Sequence, residues 1–102
     1  MGIKKPNYNI KEKVWLYSEM PSWHFVNVSK PVSKEIKKLF GNGGRGFGSV
    51  PVLVTVGKTN WKTSIFPDKK KGVYILPIKA EVRKKEGIVH GKMLNYSIKI
   101  NI

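Results

Sequence analysis

Residues 50–56 read Val-Pro-Val-Leu-Val-Thr-Val, and the four valines occupy the alternate positions 50, 52, 54 and 56. Side chains alternate across a strand, so this spacing puts one continuous β-branched face into a core. The last ten residues, 93–102, repeat the pattern with Leu94, Tyr96, Ile98, Ile100 and Ile102. Two such ladders in one short chain predict a β architecture. Between them lie Thr-rich and aromatic runs bounded by Gly, Asn, Asp and Pro, the punctuation of hairpins. Strands are predicted at 10–18, 23–28, 50–56, 61–66, 73–77 and 93–101, with Pro21-Ser22 ending the first.

Two segments have helical spacing instead. In 32–40, Val32, Ile36, Leu39 and Phe40 fall on one face while Lys34, Lys37 and Lys38 fall off it, and Gly41 follows as a stop. A second short helix is predicted over 80–86, closed by Gly87. The predicted core comprises Val32, Ile36, Val52, Val54, Ile65, Ile75, Val82 and Ile98.

The two helical segments also match each other. At an offset of 46 residues, Pro31 aligns with Pro77, Ile36 with Val82, Lys37 with Arg83, Lys38 with Lys84, and Gly41 with Gly87. Two residues fewer in the second loop then bring the valine ladder onto Leu94, Tyr96, Ile98 and Ile100. Each half reads strand, proline, short helix, glycine, loop, strand. Halves of that kind share a core most simply in a small barrel with a pseudo-twofold axis. The expected fold is therefore all-β: a small β-barrel with two short helices and a pseudo-twofold internal repeat. One domain spans residues 1–102, with 1–9 expected to fray.

The segments Val14-Trp-Leu-Tyr17, Trp23-His-Phe-Val26, Gly46-Phe-Gly-Ser-Val-Pro-Val52 and the run from Gly57 to Ile88 resemble one uncharacterised bacterial family. It is the domain of unknown function numbered nineteen-oh-five, often found ahead of a YdeI/OmpD-associated domain. The resemblance implies a double-split barrel and no established activity. The second half is also similar in rhythm to the swapped-hairpin modules of AbrB/MazE-type regulators, which bind DNA as dimers. Those modules carry Gly-Asp before the final strand, where this chain has Gly91-Lys92.

Composition restricts the chemistry. The chain has no cysteine, which excludes a disulfide framework, a thiolate metal site and a cysteine nucleophile. No apolar run approaches the roughly 18 residues of a membrane span, so no membrane association and a cytoplasmic location are expected. Gly41-Asn-Gly-Gly-Arg-Gly46 spells a dinucleotide fingerprint, but it follows a helix and enters a strand, the reverse of the order phosphate binding requires. It reads as a mobile loop presenting Arg45. His24 and His90 lie apart, and the six acidic residues are scattered. No metal, no cofactor and no catalytic residue is expected, and the chain is expected not to be an enzyme. Trp15, Trp23, Trp61, Phe25, Phe66 and Tyr74 all lie on predicted strands, where large aromatics are expected mostly to fill the interior.

The functional signal is charge. Twenty basic residues against six acidic ones give +14. Such an excess attracts polyanions and speeds their association. Eighteen of the basic residues are Lys and two are Arg, which disfavours base-specific readout. The expected function is a binding module for polyanions such as nucleic acid. The candidate nucleic-acid contacts are Lys34, Lys37 and Lys38 on the first helix, Arg45 in the glycine loop, Lys69, Lys70 and Lys71 in a turn, and Arg83, Lys84 and Lys85 on the second helix. The alternative is a protein-interaction or stress-related accessory domain, for instance one meeting an acidic protein, with incidental charge.

Overall fold

In the computed structural model, which describes residues 6–40 and 48–101, six strands close into one antiparallel barrel. In chain order the elements are β1 (Asn7–Tyr17), β2 (Met20–Asn27), α1 (Lys30–Phe40), β3 (Val50–Val56), β4 (Thr59–Asp68), β5 (Val73–Pro77), α2 (Ala80–Glu86) and β6 (Met93–Ile100). Around the barrel the order is β1-β2-β5-β4-β3-β6. Exchanging β1 with β4, β2 with β5 and β3 with β6 returns the same ring read in reverse, which is the relation two duplicated halves require.

The valine ladder decides the interior. Val50, Val52, Val54 and Val56 are all buried, as are Leu94, Tyr96, Ile98 and Ile100 opposite them. Val54 pairs with Ile98 on one side and Trp61 on the other. Val14, Val26, Ile65 and Leu76 complete the core. Closure leaves the barrel's ends as the places where apolar side chains still need cover, and the helices supply it.

Each helix leaves the C-terminal end of a strand: α1 follows β2 and α2 follows β5. Because β2 and β5 run antiparallel side by side, the helices sit at opposite ends of the barrel. At the first end, Ile36 is fully buried and the buried Ser33 hydroxyl donates to the Val28 carbonyl (2.9 Å) while accepting from the Tyr74 amide (3.0 Å). At the other end Val82 is buried, and Gly87 adopts φ 63°, which lets its own amide and that of Ile88 reach the Arg83 carbonyl.

Several expectations are corrected. The chain does not break at Pro21-Ser22: β2 runs through them, and the turn is Ser18-Glu19, with Tyr17 paired to Met20. β1 starts at Asn7, because Asn7, Tyr8 and Asn9 pair in register with Lys99, Ile98 and Ser97. Leu39 is 56% exposed. The buried stripe of α1 centres on Ser33, Ile36 and Phe40, and at 100° per residue Leu39 falls about 90° from that centre. Val32 packs against the core only in part, and Ile75 is half-buried on the outer face. Arg45 and the glycine loop up to residue 47 lie outside the described residues.

Candidate functional site

The aromatic residues depart furthest from expectation. Trp61 and Tyr74 are buried, but Trp15 and Phe25 are half-buried, and Trp23 and Phe66 are 53% and 41% exposed. The cause is register. Val14 faces Val26 inside the barrel, so the next pair, Trp15 and Phe25, must face outward. The interior is filled instead by Val, Ile and Leu together with Trp61, Tyr74 and Tyr96.

Outside, these rings form a continuous row along β1 and β2. Trp15 stacks on Phe25 with centroids 5.1 Å apart. Tyr17 meets Phe25 edge-on at 6.3 Å and stacks on Trp23 at 6.2 Å. The Trp15 indole N–H donates to the Asn27 side chain (2.9 Å), which fixes that ring's orientation. The Tyr17 hydroxyl donates to Glu19 (2.9 Å), and that bond pushes its pKa up.

The candidate lysines distribute around this row rather than forming one face. Lys71 sits over the Trp15 ring, 3.4 Å from its centroid, a cation–π contact at one end of the row. Its neighbours Lys69 and Lys70 are exposed in the turn that Asp68 organises by accepting from the Lys71 amide (3.1 Å). Lys34, Lys37 and Lys38 are exposed on α1, at this same end of the barrel. Lys84 and Lys85 are exposed at the opposite end, on α2, and Lys85 pairs with Glu81 at 3.8 Å. A single lysine surface across both helices is therefore not formed. Lys37, Lys38, Lys84 and Lys85 also lie in the last turns of their helices, where cations complement the helix dipole.

Among the described residues Arg83 differs from the other cations in being half-buried. Its Nε donates to the Ile78 carbonyl (3.2 Å), and its terminal nitrogens reach the Ser22 carbonyl and His24 Nε2, both at 3.4 Å. His24 Nδ1 lies 3.1 Å from the Ser22 carbonyl, so Nδ1 carries the hydrogen and Nε2 accepts from the guanidinium. No motif in the sequence links these residues; they meet because β2 begins where α2 lies.

Beside Arg83 the barrel wall opens. β4 pairs with β5 only from Phe66 to Asp68, and its earlier half diverges from the end of β5. The gap is a groove of about 770 Å³ between β2, β4, β5 and α2. Its walls are Trp23, Phe25, Trp61, Phe66, Ile75 and Pro77, with Lys62, Lys79 and Arg83 as cations. The aromatic row thus runs from Lys71 at one end to this groove at the other. Among the described residues no three His, Cys, Asp or Glu side chains group as metal ligands would.

Residues 11–98 match the family model described as Domain of unknown function (DUF1905). The chain belongs to that family. No curated protein matches it. The description of the DUF1905 family names no activity. Among the described residues no helix is long and apolar enough to cross a membrane.

Proposed function

We propose that this DUF1905 domain is a non-enzymatic, cytoplasmic binding module for single-stranded nucleic acid, with the strand lying along the aromatic row. The observation that carries this reading is the row itself: outward-facing stacked rings on β1 and β2, with Lys71 at one end and Arg83 near the other, on a chain of charge +14. Bases stack on aromatic faces without regard to sequence, while cations along the row neutralise phosphates. Trp23 gives one face to Tyr17 and remains half exposed, which leaves surface for a base. Lys69 and Lys70 extend the charge beyond Lys71, and Lys34, Lys37 and Lys38 belong to the same end. The scarcity of arginine fits sequence-indifferent contact. An acidic protein surface is the alternative ligand, favoured by the exposed apolar patch of Met20, Trp23 and Phe66.

Fluorescence titration with a labelled oligothymidylate and its duplex form tests the reading. The single strand is expected to bind better and to quench tryptophan emission. Its log affinity should fall with log salt by roughly 0.7 for each phosphate neutralised. Trp23→Ala should weaken binding by about 1–3 kcal/mol if a base stacks there, and Trp15→Ala should weaken it by releasing Lys71, which sits over the ring that also stacks on Phe25. Lys69, Lys70 and Lys71 changed together to Glu should abolish binding, and the same change at Lys11, Lys13 and Lys99, on β1 and β6, should do less. Equal loss from both triple variants, which alter net charge equally, would reduce the effect to bulk charge. No binding at low salt would overturn the proposal in favour of the protein ligand.

A further inference from the structure

We infer that the groove beside α2 is a binding site for an apolar organic anion, a flat hydrocarbon or aromatic body bearing one carboxylate. The groove shares Trp23, Phe25 and Arg83 with the strand reading, but Trp15 and Lys71, at the other end of the row, do not line it, so the two readings can be tested separately.

The volume of about 770 Å³ lies within the roughly 300–1,000 Å³ of sites that enclose small molecules. Its apolar walls come from three strands and include two ring systems, Trp23 and Phe66, that remain substantially exposed. An unfilled groove of this kind keeps apolar surface in water, and a flat apolar body would remove it.

The charge around the groove selects the ligand's head group. The lining includes Lys62, Lys79 and Arg83 and contains no Asp or Glu. Lysines at the rim can stay solvated, but the Arg83 guanidinium is half-buried and held by three contacts. All three acceptors are neutral: two backbone carbonyls and an imidazole nitrogen. Two of the contacts are long, at 3.4 Å, and a guanidinium carries five N–H donors. Among the described residues the ion pair present is Lys85–Glu81, on the exposed side of α2. Arg83 is thus an oriented cation in apolar surroundings with no carboxylate to answer it. A carboxylate accepts two parallel bonds from a guanidinium, the strongest pairing open to this group. Because Ile78, Ser22 and His24 already fix the guanidinium, little side-chain freedom is lost when the anion arrives. An organic cation of the same shape would meet three positive charges.

Isothermal calorimetry with three probes tests this on the intact domain. They are 2-naphthylacetate, the matching cation 2-naphthylmethylammonium, and acetate. The naphthyl anion should bind, the cation should bind at least about tenfold more weakly, and acetate should show no heat. Trp23→Ala, at a half-exposed position, should weaken both naphthyl probes. Arg83→Gln should leave residual apolar binding and erase the preference for the anion, a change that loss of packing alone would not produce. If Arg83→Gln fails to fold, the anion–cation contrast in the native protein and the Trp23→Ala result still decide. Equal binding of the two naphthyl probes, no binding of either, or an anion preference that survives Arg83→Gln overturns the inference. Trp15→Ala should leave naphthylacetate binding unchanged while weakening the oligonucleotide. Naphthylacetate binding in a protein that ignores oligonucleotides would overturn only the strand reading.

Discussion

The two ends of the barrel are built from matching parts and finished differently. At the β2–α1 end the helix has 11 residues, and its Val32 and Phe40 pack against the core together with Tyr8 of β1. There the Tyr8 hydroxyl donates to Glu35 (2.6 Å), tying α1 to the start of β1. At the β5–α2 end the helix has seven residues, about one turn less. Its last residue, Glu86, accepts a 2.6 Å bond from the Thr59 hydroxyl, so α2 is anchored to the β3–β4 hairpin. That leaves the gap between β4 and β5 open over Trp61 and Thr63. Duplicated topology therefore makes the barrel, while its two ends differ by about one turn of helix and by the groove that opens beside the shorter one.

If the α1 end is the sealed one, damage there should cost most. Ile36→Asp would place a charge at a fully buried position with no partner and should cost about 4 kcal/mol or more, enough to unfold a domain of this size. Urea denaturation followed by circular dichroism measures it. A midpoint close to that of the native protein would show that α1 does not close the barrel. Ser33→Ala should cost about 1–3 kcal/mol, because the Val28 carbonyl and the Tyr74 amide would both lose a buried partner. The matching change at the open end, Thr59→Val, removes one bond to a carboxylate that water can still reach. It should cost about 1 kcal/mol. A larger loss from Thr59→Val than from Ser33→Ala would reverse the assignment of sealed and open ends. Gly57→Ala belongs to the same test. Gly57 has φ 56°, and an added Cβ would push the Glu86 carboxylate away from Thr59, so the change should cost backbone strain together with the bond that Thr59→Val removes.

The barrel was legible because its signal is periodic. The ladders at 50–56 and 93–100, the two helices and the closing Gly87 each follow from spacing that any short window contains. The repeat was legible for the same reason, although the offset of 46 that aligns Ile36 with Val82 conceals the one-turn deficit, since in the sequence it also aligns Gly41 with Gly87. The candidate site was much less legible. Whether Trp15 and Phe25 point in or out depends on one register between β1 and β2, and either face of the Val14-Trp15-Leu16-Tyr17 alternation is apolar enough to be the core. The meeting of Ser22, His24 and Arg83 joins residues some 60 positions apart through topology alone. Ser33 gave no signal: a serine on a helix face is ordinarily solvated, and only the tertiary contact makes it a buried bridge. The lysines were visible as charge, but charge carries no address, and their division between the two ends follows from the antiparallel pairing of β2 with β5.

The smallest effect isolates the contact that closes the α1 end. The Tyr8 hydroxyl has its pKa pushed up to about 12, first by burial and then by its bond to Glu35 and that carboxylate's charge. The folded protein thus favours the neutral phenol, whereas an unfolded tyrosine ionises near 10.0. Stabilisation from a raised pKa is fully present below the unfolded value and is lost as pH rises through the folded one. Tyr8→Phe should therefore be less stable than the native protein at neutral pH by a constant amount. The difference should shrink between pH 10.0 and about 12, where the native phenol ionises against Glu35. Tyr96, whose pKa burial also raises and whose hydroxyl donates to the Asn27 carbonyl (2.6 Å), is present in both proteins and cancels in the comparison. Urea midpoints for the pair across that window measure the difference directly. A gap that persists undiminished above pH 12 would mean that the Tyr8 proton does not hold α1 in place, and that Val32 and Phe40 close this end by packing alone.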